Sequence, residues 1–143
     1  MSSLEVGQVL SLKIRFNNTG QTAKVKHPYL IVVVDAELST IELAQLDSLE
    51  GKEYKAAMKS NKVVYCDDPV ETVIDKDSYI QMDNILKIEL YDGLEKYRRQ
   101  TDKLSAGKLD EVLRAYYTYH DQYQIDEDKQ VYMSQEELEG LQK

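Results

Sequence analysis

Few side chains in this 143-residue sequence can exchange a proton near neutral pH: the two histidines, His27 and His120, and the single Cys66. His27 follows Lys24 and Lys26, with Lys13 and Arg15 upstream. An imidazole in that setting can serve as general base or general acid. The cations of Lys24, Lys26 and Arg15 suit negative charge developing on an anionic substrate. Residues 1–34 carry those four basic residues against Glu5 alone, whereas the whole chain has a net charge of -8. An anionic partner would therefore meet the first segment, and binding of nucleic acid over the whole surface is excluded. The plainer alternatives are that the asymmetry serves solubility and that His27 caps a strand beside Pro28.

The remaining chemistry-bearing residues read as structural. His120 and Cys66 have no companions at metal-ligand spacing, and one cysteine excludes a disulfide framework within the chain, so no metal site is expected. Asp67-Asp68-Pro69 fits a turn, and Asp126-Glu127-Asp128 lacks the glycine and distal glutamate of a calcium loop. The aromatic run Tyr116, Tyr117, Tyr119, His120 and Tyr123 invites base stacking. Its acidic neighbours, Asp121 and Asp126 to Asp128, favour a core or interface role instead. No phosphate-cradling glycine loop, nucleophile elbow or dinucleotide fingerprint is present, which excludes the common nucleotide-dependent enzymes and predicts no cofactor.

The elements that must position these residues are largely β. Leu10 to Phe16 alternates apolar and polar side chains, the period of a half-buried strand. The turn-rich stretch 17–21 leads to Pro28 and the continuous run Tyr29 to Val34, a central strand paired with the first as an antiparallel hairpin. Further strands are expected at 40–46, 62–66, 70–74, 78–80 and 85–90, with a short helical piece inside 48–60. Leu109, Val112, Leu113 and Tyr116 share one face of a helix that opens at Ser105 and packs on the sheet. Residues 121–143 carry seven acidic and two basic residues. Ser134 and Glu137 there fit a capping box for a last short helix, so the tail is expected to be ordered but peripheral. The chain thus divides into a single domain, 1–120, and an acidic extension, 121–143. No stretch has the length and apolarity of a membrane span, and the start MSSLEVGQVL lacks the basic and apolar regions of a signal peptide. A cytoplasmic protein with no membrane association is expected.

The order of these parts resembles the PemK/MazF-like growth-inhibitor family. The resemblance rests on Gly7-Gln8-Val9, the loop 17–25, Lys26-His27-Pro28 before the strand Tyr29 to Val34, Asp77 to Ile88 as a late strand-turn-strand, and Lys103 to Leu113 as a closing helix. It covers roughly residues 6–118. It implies an α+β fold, a small SH3-like antiparallel β-barrel with C-terminal helices, usually a homodimer. The implied activity is metal-independent endoribonuclease cleavage of single-stranded RNA, silenced by a cognate antitoxin. In the family, an arginine before the proline and a threonine or serine at the end of the third strand form the catalytic pair. Here His27 occupies the first place, and Asp47-Ser48 the second.

Such cleavage needs a base for the 2′-hydroxyl, an acid for the leaving oxygen and cations for the charge on phosphorus. On this reading His27 is the base or acid, Asp47 orients it, and Ser48 orients the phosphate. Arg15, Lys24 and Lys26 bind the substrate along the loop between the first two strands. The alternative is a catalytically degenerate barrel of the same family, a protein- or RNA-binding module, in which the acidic surface meets a protein partner.

Overall fold

In the computed structural model, which describes residues 4–69 and 71–143, the apolar run near the start forms β2 (His27–Asp35), flanked antiparallel by β1 (Val9–Leu12) and β3 (Thr40–Ser48). The run is continuous because both sides of β2 are covered. Tyr29 and Ile31 enter one core, and Leu30 and Val32 the other. A strand buried on both faces has no polar side to show. β1 is shorter than the alternation suggested. Ile14 keeps the inward phase and is buried, but the ladder stops at Leu12 and only a lone bridge joins Arg15 to Thr22.

β3 organises the rest. Its first half, Thr40 to Leu43, pairs with β6 (Ile85–Glu89), and its end, Leu46 to Ser48, pairs with β5 (Ser78–Gln81). β4 (Asn61–Val64) lies outside β5, and β7 (Gln130–Met133) runs parallel to β6. The result is a seven-stranded, mainly antiparallel sheet whose strand path runs from β1 to β4 without a ladder closing it. With α1 (Ala106–Gln122) and α2 (Gln135–Gln142) the class is α+β.

Two expectations give way. The stretch expected to be a strand at 70–74 forms none over 71–74, and Val70 lies outside the described residues. Val73 and Ile74 are apolar because they fill the second core, at 2% and 4% exposure. Their backbone is held irregularly, with the Ile74 carbonyl accepting from Cys66 Sγ and the Val73 N–H donating to Glu71. Nor is the tail peripheral. Val131, Met133 and Leu138 complete the first core with Leu10, Tyr29 and Ile41. The capping serine behaves as expected, Ser134 Oγ accepting from the Glu137 N–H at 3.3 Å.

On the opposite face α1 buries Val112 and Tyr116 and packs Leu109 and Leu113 beside them, the expected stripe. The chain slips under this helix at Gly7, whose φ is +97°, and a Cβ there would stand 2.9 Å from Leu109 Cδ2. Only glycine accepts both that backbone and that contact without strain. A 3₁₀ turn at Glu53–Ala57 supplies the helical piece expected within 48–60. No helix among the described residues is long and apolar enough to cross a membrane.

Candidate functional site

Arg15 is spent before any substrate arrives. Its Nε donates to Glu137 Oε2 at 2.7 Å, one Nη to Asn18 Oδ1 at 2.9 Å and the other to the Tyr132 carbonyl at 3.0 Å. Neighbouring Asn18 donates from its side chain to the Glu127 and Gln130 carbonyls, at 2.8 Å each, and from its backbone to Asp128. The loop expected to wall a substrate groove is therefore stitched to the outer edge of β7. A phosphate at Arg15 would have to displace a charged, two-pronged pair. Lys24 and Lys26 are exposed, and Lys26 Nζ stands 5.7 Å from the centre of the Tyr97 ring.

The other candidates sit where β2 begins and β3 ends. A cavity of about 260 Å³ opens there, lined by Pro28, Asp47, Ser48, Lys76, Ser78 and Arg99 among others. Asp47 and Ser48 thus share one wall. His27, next in sequence to Pro28, does not line the cavity and is opposite Leu12 in the β1–β2 ladder. The β2–β3 ladder ends at the Tyr29–Gln45 pair, two residues short of His27 and Asp47 on their strands. The expected Asp47–His27 contact is not among the hydrogen bonds of the described residues. Asp47 instead accepts from Lys52 Nζ at 2.9 Å, from the Tyr79 hydroxyl at 3.3 Å and from the Ser48 N–H at 2.9 Å.

Those partners set the charge of the site. Burial alone would raise the Asp47 carboxyl, but the Lys52 ammonium and the Ser48 N–H outweigh it and hold the group below the usual carboxylate range. The carboxylate is ionised at neutral pH, and its three donors make it a weaker base than a free aspartate. Ser48 Oγ accepts from the Glu50 N–H at 3.1 Å, which leaves its hydroxyl proton without an acceptor among the described residues. Lys76 is paired with Glu50 at 2.8 Å.

Arg99 is the residue the sequence reading missed. Its backbone N–H bonds the Val9 carbonyl at 2.9 Å, which fixes the segment against β1, while its guanidinium has no partner among the described residues. Arg99 is exposed and lines the cavity, adding a planar, five-donor cation to that wall from a segment some fifty residues beyond Ser48. The only sequence signal was the Arg98-Arg99 doublet, which has no motif spacing to either candidate. Together, Arg99 and the Ser48 hydroxyl can hold an anionic oxygen beside an ionised carboxylate.

The remaining polar residues are used internally. His120 Nε2 lies 2.8 Å from the Met82 carbonyl with its ring 4.1 Å from that of Tyr116. Cys66 Sγ meets the Ile74 carbonyl. The Glu71 N–H closes a turn on the Asp68 carbonyl, as expected of the Asp67-Asp68-Pro69 stretch. Among the described residues no three His, Cys, Asp or Glu side chains gather as a metal-binding group. No protein-family model matches the chain, and no curated protein matches it.

Proposed function

We propose that the chain is a PemK/MazF-like protein, an SH3-like barrel variant, that binds and cleaves single-stranded RNA at the cavity between the start of β2 and the end of β3. One observation carries the reading: Pro28, Asp47 and Ser48, which the family resemblance brings together from separate strands, line a single cavity. In this proposal Arg99 supplies the guanidinium absent at position 27. Arg99 and the Ser48 hydroxyl hold the scissile phosphate, and the Asp47 carboxylate accepts the 2′-hydroxyl proton. The 2′-oxygen attacks phosphorus to give a cyclic phosphate, and the departing 5′-oxygen takes a proton from His27, next in sequence to the cavity-lining Pro28, once the strand is bound. The reading also carries a cytoplasmic location, a homodimer and a cognate antitoxin.

A second reading is favoured by Arg15 and Asp47 being committed to Glu137 and Lys52, with His27 outside the cavity. On it, the chain is a degenerate barrel that binds a basic protein partner through its acidic surface. Incubating the protein with a long single-stranded RNA in EDTA separates the two. The nuclease reading expects cleavage that falls by about a hundredfold or more in Arg99→Ala and in Ser48→Ala, at unchanged melting temperature. Absence of cleavage by the natural sequence overturns it and leaves the binding module.

A further inference from the structure

The tyrosines at the end of α1 divide in a way that their spacing did not reveal. Tyr116 is buried at 1% exposure and hydrogen-bonds Glu42, whereas Tyr123 is 41% exposed and pairs with Tyr119, ring centres 4.7 Å apart. Beside that pair a cleft of about 520 Å³ opens, formed by Lys59, Arg114, Thr118, Tyr119, Gln122 and Tyr123. None of its lining side chains is acidic, although the chain as a whole carries a net charge of -8. Asp121, next to the cleft in sequence, is exposed and does not line it, and two other carboxylates near the cleft are paired. Asp83, the carboxylate whose charge reaches Tyr119, is held by Lys129 at 2.9 Å. Asp110 takes Arg114 Nε at 2.8 Å, which leaves the terminal nitrogens of Arg114 free among the described residues. Lys59 is exposed and has no partner among them.

We infer that this cleft is a nucleotide subsite for single-stranded RNA, holding an unpaired base against Tyr123 with the adjoining phosphates at Lys59 and Arg114. A tyrosine face accepts any base, and an exposed base face exists only where the strand is unstacked. The volume lies in the range of small-ligand sites. The two cations sit on separate elements, Arg114 on α1 and Lys59 in the turn before β4, so a strand crossing the cleft meets both. The inference rests on RNA being the ligand class but not on cleavage.

The test uses a fluorescein-labelled 2′-O-methyl oligouridylate, which lacks the free hydroxyl that cleavage needs, and follows anisotropy across a salt series. Tyr123→Ala is expected to weaken binding about tenfold, Tyr123→Phe to retain it, and Lys59→Gln to shallow the logarithmic salt slope by about 0.7. Both positions are exposed, so melting temperatures should stay unchanged. Binding that is absent in the natural sequence, or unaffected by Tyr123→Ala, overturns the subsite. Binding lost in Arg99→Ala but not in Tyr123→Ala overturns it while leaving the cavity proposal standing. Tyr123-dependent binding without cleavage of ordinary RNA does the reverse.

Discussion

The tail-covered face of the sheet and the α1-covered face are lined by alternate residues of the same strands, yet they end differently. On the tail side the charges of Arg15 and Glu139 are spent inside the molecule. Arg15 takes Glu137, and Glu139 receives Lys96 Nζ at 2.9 Å and the hydroxyls of Tyr91 and Tyr97. On the other side, donors are left over: the Arg99 guanidinium, the Ser48 hydroxyl, Lys59, and the outer ring of the Tyr119–Tyr123 pair. Paired groups hold a fold, and unpaired groups beside a cleft can hold a ligand. The contrast thus separates residues whose loss should cost stability from residues whose loss should cost binding.

The largest test of the contrast is Leu138→Ala. The side chain is fully buried under the first core, and its truncation is expected to cost about 2–5 kcal/mol in denaturant unfolding, with RNA binding unchanged in the folded fraction. A cost below about 1 kcal/mol, the level of an ordinary surface change, would mean that the tail does not seal this face. Next comes acid sensitivity. Hydrogen bonds from Tyr91 and Lys96 hold the Glu139 carboxyl down to about 2, from an ordinary 4.5. Between those values the unfolded chain binds the proton that the folded chain refuses, so this contribution is whole above about 4.5 and drains as pH falls toward about 2. Unfolding midpoints measured down that range should fall less steeply in Glu139→Gln than in the natural sequence. The smallest expected effect is Ser134→Ala, which removes the cap of α2 and should cost about 1 kcal/mol. Cleavage and oligouridylate binding should not respond to it.

Much of this was legible in the sequence, and the failures have physical causes. The run Tyr29 to Val34 announced a central strand because burial on both faces leaves no other composition. The α1 stripe was readable because one helix face meets one core. The stretch 71–74 misled because apolar β-branched residues report burial, and Val73 and Ile74 are buried without a ladder. The tail misled through charge. Seven acidic residues, grouped at 121–128 and 136–139, set its overall charge, while Val131 and Met133 alternate in the acid-free stretch 129–135 and Leu138 stands alone between glutamates. Arg15 shows the converse. A cation in a basic segment looks available until the chain brings Glu137 back to it, and Arg99 lines a cavity that local spacing could not foretell.

The stitching of Arg15 to Glu137 joins residues 122 apart, and Lys13 is bonded to Gln142 across 129. On a ribosome adding roughly 5–20 residues per second, the first strands wait on the order of ten seconds for those partners. The α1 face can close earlier, since Tyr116 is made well before Leu138. Throughout that interval Leu10, Tyr29 and Ile41 present an uncovered greasy strip on a half-finished chain, the kind of surface that chaperones hold.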